Sequence, residues 1–211
     1  MLSIYALKAP FQALLRPVVR RLAAAGISAN AVTVFAALVS CALGALLVVC
    51  AQTGRDLAFL ALPIWMLLRM ALNAIDGLLA REHHMESTLG AYLNELCDVV
   101  SDAALYLPFA FVAPFGWAGV GAVIFLSVLS EFAGALGASL GGGRRYDGPM
   151  GKSDRAAVFG GLGLLYAWRG DFGDAWAWCM PIVAGLIVIN IFTRVRRGVG
   201  RRVLDNKGGN K

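Results

Sequence analysis

The sequence has little charge, and this scarcity excludes most soluble classes of protein. Only 15% of its 211 residues are Asp, Glu, Lys or Arg, whereas 59% are hydrophobic, and the mean hydropathy is +0.69. Such a composition indicates an integral membrane protein. The four cysteines lack metal-ligand spacing, so we interpret them as free thiols that pack as small hydrophobes. The chain also lacks an internal repeat and a Ser- or Pro-rich linker, which favours a single membrane-embedded domain.

The first 26 residues lack the order of a signal peptide, in which charge precedes a short apolar block and a cleavage site. Their basic residues are instead spread among Leu, Phe and Val, which predicts an amphipathic helix in the membrane interface over 1–26. Apolar segments long enough to cross a bilayer, or nearly so, follow at roughly 30–52, 57–80, 88–113, 116–140, 153–169 and 174–195. The predicted fold is therefore all-α, with a six-helix membrane domain over 27–198 and a polar, disordered tail over 199–211.

The basic residues fall mostly on one side of this topology. With the N-terminus in the cytosol, the exceptions among the 19 Lys and Arg are Arg55 and Arg169 on the opposite side and Arg69 within the second segment. This asymmetry predicts that both termini are cytosolic, and we expect a bacterial inner (plasma) membrane. The net charge of +6 then comes mostly from basic residues that face the cytosolic membrane surface. No nucleic-acid partner is expected.

Two neighbouring segments carry polar or small residues at helical spacing, so each set lies on one helix face. The sets are Asn73, Asp76, Gly77, Ala80 and Arg81 in the second segment, and Gly90, Asn94, Asp98 and Asp102 in the third. The short connection between the segments predicts an antiparallel hairpin that brings Asp76 towards Asp98 near the cytosolic end. Carboxylates at membrane depth are costly, so either one keeps a proton or a divalent cation binds.

Oxygen ligands from Asp and Asn suit Mg²⁺, Mn²⁺ or Ca²⁺. Small residues beside the carboxylates leave room for a bulky ligand, and the guanidinium of Arg81 suits phosphate. A metal, room for phosphate and a cationic group together indicate phosphoryl-type transfer. We expect the site to open to the cytosol.

The same stretch resembles the signature of the CDP-alcohol phosphotransferase family, which reads D-x-x-D-G-x-x-A-R and then G-x-x-x-D-x-x-x-D. The matching positions are Asp76-Gly77, Ala80-Arg81, Gly90 and Asp98. The family's first and third aspartates fall on Asn73 and Asn94, which are departures. The six segments and the N-terminal helix extend the resemblance to nearly the whole chain.

The resemblance implies a transferase of phospholipid biosynthesis. A CDP-linked lipid, usually CDP-diacylglycerol, gives its phosphatidyl group to an alcohol and releases CMP, with Mg²⁺ or Mn²⁺ as cofactor. It implies metal ligands at Asn73, Asp76, Asn94 and Asp98, with Asp98 also the catalytic base, and commonly a homodimer. The expected contacts to the nucleotide are Asn30, Thr33, Gly77, Ala80, Arg81 and Gly90.

The two asparagines remove two negative charges from the expected metal site. This leaves open a single tightly held metal, compensation by Asp102 or Glu95, or loss of activity. We include Asp102 among the candidate metal ligands, because it lies one turn beyond Asp98 on the same face.

The loop before the fifth segment is rich in basic residues. These charges favour a pocket for an anionic acceptor alcohol; the alternative is that they serve topology alone, and an uncharged acceptor remains open. Within the membrane, we expect Glu131 and Arg69 to form a structural ion pair. The candidate acceptor-binding residues are Arg144, Arg145, Lys152 and Arg155.

Two other functions compete with the transferase. A small transporter could use Asp76, Asp98, Asp102 and Glu131 as a proton or cation path, but such proteins often carry repeats, and this chain has none visible. A catalytically silent relative that binds a CDP-lipid is the other alternative.

Overall fold

The computed structural model describes residues 5–140, 143 and 146–208, with side chains described over 10–140, at 143 and over 146–199. All regular structure in these ranges is helical, which confirms the all-α prediction. Short 3-10 helices at Asp56–Leu60, Leu107–Phe111 and Asp174–Trp178 accompany the longer ones. The α-helices are α1 (Tyr5–Ala24), α2 (Ala29–Gln52), α3 (Ala61–Glu82), α4 (Thr88–Tyr106), α5 (Gly116–Ser139), α6 (Lys152–Arg169) and α7 (Cys179–Gly208).

Four helical segments in the described chain are long and apolar enough to cross a bilayer, and they make this an integral membrane protein. They are Ala29–Gln52, Asp56–Glu82, Gly116–Ser139 and Asp174–Val199. The prediction of six spans is therefore not confirmed by length and composition. Helices α4 and α6 have 19 and 18 residues and carry several charged side chains each, which lowers their hydropathy.

The two ends of the chain differ in part from expectation. Helix α1 forms within the segment predicted to be an interfacial helix, and it contains Pro10 and Pro17; its position in the membrane interface stays a prediction. Helix α7 continues to Gly208, into the segment 199–211 for which disorder is predicted.

Two helix starts are fixed by serine caps. The hydroxyl of Ser28 accepts a hydrogen bond from the Ala31 amide at 3.2 Å, and that of Ser87 accepts one from the Gly90 amide at 2.9 Å. Such caps satisfy amides that have no partner in the first turn of a helix. They begin α2 and α4 just before the polar residues of the site.

Helix packing brings α2, α3 and α4 together. A Cβ added at Gly44 of α2 would lie only 2.2 Å from the carbonyl oxygen of Ala104 in α4, so these backbones are in contact. A small apolar core of α1, α2 and α3 contains Val19, Val32 and Leu79, all buried. This core fixes the turns of α2 and α3 that carry Asn30, Thr33 and Asp76.

Candidate functional site

A cavity of about 390 Å³ lies among the polar faces of α2, α3 and α4. All six residues predicted to contact the nucleotide line it, as do three of the predicted metal ligands. The first group is Asn30, Thr33, Gly77, Ala80, Arg81 and Gly90, and the second is Asn73, Asp76 and Asn94. The remaining lining residues are Ala29, Met85, Glu86, Ser87 and Ala91. Helices α2, α3 and α4 thus share a cavity, but Asp98, which the sequence analysis placed with Asp76 at one site, is not among its lining residues.

Asp76 is the buried carboxylate of this cavity. Its Oδ2 accepts a hydrogen bond of 2.8 Å from the hydroxyl of Thr33, which also lies 3.1 Å from the Ala29 carbonyl. This hydrogen bond links α3 to α2 and does not involve Oδ1 of Asp76. Thr33 therefore orients a predicted metal ligand, beyond its predicted contact with the nucleotide.

The two glycines of the motif create close approaches. A Cβ at Gly90 would lie 2.6 Å from Oδ1 of Asn30, and one at Gly77 would lie 3.2 Å from Nη1 of Arg81. The absence of both side chains lets the asparagine amide and the guanidinium lie against the helices. Arg81 is exposed and makes no ion pair with another described residue, so its charge remains available to an anion.

Asp98 is not among the lining residues of this cavity. Its Oδ1 accepts hydrogen bonds from Asn73 Nδ2 and Arg69 Nη2, each 3.1 Å long. Its Oδ2 forms an ion pair with the ammonium of Lys152, whose side chain is 30% exposed. Asn73 thus connects Asp98 to the cavity, because it contacts both.

Asp102 takes part in a buried ion network and not in the cavity. Its Oδ1 lies 2.5 Å from Arg69 Nη1, and its Oδ2 lies 3.4 Å from Arg155 Nη2. The same Arg155 nitrogen lies 2.9 Å from Glu131, which is also 3.6 Å from Arg194. Asp102 is therefore not supported as a metal ligand, because it does not line the cavity and two guanidinium groups already neutralise it.

The network also changes the expected role of two basic residues. Arg155 is fully buried and bound to carboxylates. The prediction that its side chain faces an acceptor is therefore not supported. Arg69 pairs with Asp98 and Asp102 and not with Glu131, so the predicted Arg69–Glu131 pair is wrong. Arg69 faces α4, whereas Glu131 meets cations from α6 and α7. The candidates Arg144 and Arg145 lie outside the described residues.

The cavity offers oxygen donors of the kind that Mg²⁺ and Mn²⁺ prefer. They are the carboxylate of Asp76 and the amides of Asn73 and Asn94, with the exposed Glu86 at the rim. No group of three or more His, Cys, Asp or Glu that could hold a metal occurs in the described part of the chain. One buried carboxylate and neutral oxygens still fit a hard cation that completes its coordination with water and phosphate.

The starts of α2 and α4 are a feature that the motif analysis missed. Ala29 and Asn30 at one start, and Ser87 and Gly90 at the other, line the cavity. The partial positive charge of a helix N-terminus favours an anionic ligand. The sequence signal was a serine directly before each apolar run.

Comparison with known proteins identifies the family of this chain. Residues 26–189 match the CDP-alcohol phosphatidyltransferase family. The inner membrane protein YnbA of Escherichia coli (strain K12) is 46% identical over 166 residues, which cover 79% of this chain and 81% of YnbA.

Solved structures with the same fold include phosphatidylinositol phosphate synthase (PgsA1) of Mycobacterium tuberculosis. Its structure with CDP-DAG bound has a TM-score of 0.69 and 21% identity, covering 86% of this chain and 92% of PgsA1. Its complex with manganese and citrate has a TM-score of 0.67 and 20% identity, covering 86% and 87%. The family match over most of the chain, joined to the cavity its motif builds, makes this protein a member of the CDP-alcohol phosphatidyltransferase family, a transferase that moves a phosphatidyl group from a CDP-linked lipid to an alcohol.

Proposed function

We propose that the cavity between α2, α3 and α4 binds the CDP group of a lipid donor such as CDP-diacylglycerol together with Mg²⁺ or Mn²⁺. The carrying observation is that the cavity gathers every residue predicted for the nucleotide around the buried carboxylate of Asp76. The donor and the metal are also found, separately, in the PgsA1 structures that share this fold.

The residues predicted for the metal and the nucleotide have distinct roles in this proposal. Asp76 holds the cation with the amide oxygens of Asn73 and Asn94, and the bound cation neutralises charge on the diphosphate. Arg81 and the starts of α2 and α4 receive the phosphates. Gly77, Ala80 and Gly90 leave the space, while Asn30 and Thr33 contact the nucleotide.

The acceptor is activated at Asp98 in this proposal. Oδ1 of Asp98 is fixed by Asn73 and Arg69, whereas Oδ2 contacts only the partly exposed, flexible Lys152 among the described residues. An anionic acceptor that draws Lys152 towards its phosphate leaves Oδ2 to accept the proton of the attacking hydroxyl. We propose Arg144 and Arg145 as further acceptor contacts and leave out Arg155, because it is fully buried.

We further propose that α4 and α6 also cross the membrane, which gives six spans. They pack against α2 and α3, which are apolar enough to cross, and their buried charges at Asp102 and Arg155 are paired. Pairing lowers the cost of charge at membrane depth. We place the protein in a bacterial inner membrane, in line with the name of its relative YnbA. The cavity then opens to the cytosol, and α1 lies at the membrane interface. Two chains form a homodimer.

A lipid-product screen tests the proposed function. Purified protein receives CDP-diacylglycerol, Mg²⁺ and one alcohol at a time, including inositol, inositol phosphate, glycerol phosphate and serine, and mass spectrometry detects the new lipid and CMP. We expect one alcohol to yield both products and the Asp76→Asn variant to yield neither. CDP-diacylglycerol that binds but gives no CMP with any alcohol would instead identify a silent lipid-binding relative.

A further inference from the structure

Asp98 is surrounded by positive charge and hydrogen-bond donors. Arg69 and Asn73 contact its Oδ1, and Lys152 pairs with its Oδ2. Its carboxylate is therefore neutralised by side chains of the chain itself. A divalent cation placed at Asp98 would meet the repulsion of both Lys152 and Arg69.

Asn73 has an amide where a carboxylate would be repelled. Its Nδ2 donates to Asp98 Oδ1 across 3.1 Å. An aspartate at this position would place a second negative oxygen at about the same distance, and that pair would require a proton or a metal ion between them. With asparagine, the contact is a hydrogen bond and needs no cation.

We propose that this site holds a single divalent cation, bound at Asp76, and that the Lys152 ammonium and the Arg69 guanidinium replace a second cation at Asp98. The inference rests on the proposed function, since it concerns the metal of the same site. It explains together the asparagine at position 73 and the ion pair of Lys152 with Asp98. Asp76 keeps its role because its hydrogen-bond partner, Thr33, is neutral.

The charges of the surrounding network agree with one cation. Arg69 also serves Asp102, but Asp102 has a second partner in Arg155. Arg69 and Lys152 together therefore cover the charge of Asp98. In the cavity, Asp76 is the buried carboxylate that forms no ion pair with a described residue, and a divalent ion shared with the donor diphosphate would neutralise it.

Counting bound Mn²⁺ tests this inference without reference to activity. Full-length protein is loaded with CDP-diacylglycerol in the absence of any alcohol and dialysed against Mn²⁺, and the bound metal per chain is measured by mass spectrometry and by electron paramagnetic resonance. We expect one Mn²⁺ per wild-type chain, with the resolved hyperfine spectrum of an isolated ion. The Asp76→Asn variant should bind none.

The double variant Asn73→Asp with Lys152→Met restores a carboxylate and removes the ammonium. It should bind two Mn²⁺, with a spectrum broadened by dipolar coupling, because paired metals in a shared site lie about 3.5–4 Å apart. The control variant Arg55→Met, which removes an exposed cation from the loop after α2, should bind one.

Two coupled Mn²⁺ in the wild-type chain would overturn the inference, as would a single Mn²⁺ in the double variant. Either result leaves phosphatidyl transfer standing, because the lipid-product screen measures transfer separately. A wild-type chain that binds no Mn²⁺ and also releases no CMP would defeat both the inference and the proposed function.

Discussion

At the scale of single residues, the site depends on contacts between side chains that are far apart in sequence. Thr33 meets Asp76 across 43 positions, and Lys152 of α6 meets Asp98 of α4, although α5 lies between these helices in the sequence. These contacts decide which carboxylate faces the cavity and which is already neutralised. The predictions for individual residues follow from that distinction.

Replacing Asp76 with asparagine should abolish metal-dependent function. The change removes the one buried carboxylate among the residues that line the cavity while keeping its shape and its contact with Thr33. We expect CMP release to fall by about 10²-fold or more, since even the loss of a supporting contact at a metal site costs roughly 10–100-fold. Wild-type activity with normal Mg²⁺ dependence in this variant would contradict the assignment.

Replacing Gly90 with alanine should weaken binding of the nucleotide. The new methyl would lie 2.6 Å from Oδ1 of Asn30 and 3.0 Å from the Ser87 hydroxyl, so Asn30 must move. We expect the Kd for CMP, measured by isothermal titration calorimetry with Mg²⁺, to rise roughly 10-fold, in line with an overpacking cost of about 1–3 kcal/mol.

The matched control for Gly90 is Gly121→Ala in α5. A Cβ at Gly121 has nothing within 4 Å, so the same chemical change should leave CMP binding unchanged. Equal loss of affinity in both variants would show that the effect is not local to the cavity.

The sequence could predict one part of the site and not the rest. Spacing of three or four residues placed Asn73, Asp76 and Gly90 on faces that meet, because helical geometry alone fixes those faces. It could not predict that Arg155 is buried or that Lys152 pairs with Asp98, since these contacts depend on how α6 docks against α3 and α4. Glu131 and Arg69 show the same limit: the need for partners was predictable, but the partners were not.

At the scale of the helices, α2 and α4 pack closely at Gly44. Among the described glycines, an added Cβ would meet its nearest neighbour at the shortest distance there. Substituting Gly44 with alanine should destabilise the protein strongly, because its Cβ would lie 2.2 Å from the backbone oxygen of Ala104 and backbone cannot move aside. We expect a loss of at least about 1–3 kcal/mol, seen as a lower Tm in detergent.

The control for this prediction is Gly185→Ala in α7, where an added Cβ meets nothing within 4 Å. Alanine favours helix over glycine by roughly 0.5–1 kcal/mol, so this variant should be as stable as the wild type or more so. A Gly44→Ala protein with unchanged Tm would mean that α2 and α4 are further apart than described.

Helix positions were more predictable than helix ends. Each of the six predicted apolar segments corresponds to one of α2 to α7, because long apolar runs have few alternatives to helix. The third segment was predicted to run to residue 113, but α4 ends at Tyr106 and a 3-10 helix over Leu107–Phe111 follows. Pro108 lies in that 3-10 helix, and proline disfavours continuation of an α-helix.

At the scale of the whole molecule, a buried ion network joins five helices. Arg69, Asp102, Arg155, Glu131 and Arg194 come from α3, α4, α6, α5 and α7 respectively. Substituting Arg155 with methionine should therefore destabilise the fold by about 3–5 kcal/mol, the typical cost of removing one partner of a buried pair. Thermal unfolding should show a Tm lower by roughly 10 °C.

The control for Arg155 is Arg16→Met, which breaks a pair between Arg16 of α1 and Glu82 of α3. Both side chains of this pair are exposed, so its loss should cost no more than about 1 kcal/mol. Equal effects of the two variants would contradict a structural role for the buried network.

The most direct test of the account is an experimental structure of the protein with CDP-diacylglycerol and Mn²⁺, with the metal located by its anomalous scattering. The account predicts one Mn²⁺ against Asp76, the diphosphate beside Arg81 and the starts of α2 and α4, and the cytidine near Asn30. A cytidine bound outside the cavity, or a manganese ion between Asp98 and Lys152, would contradict it.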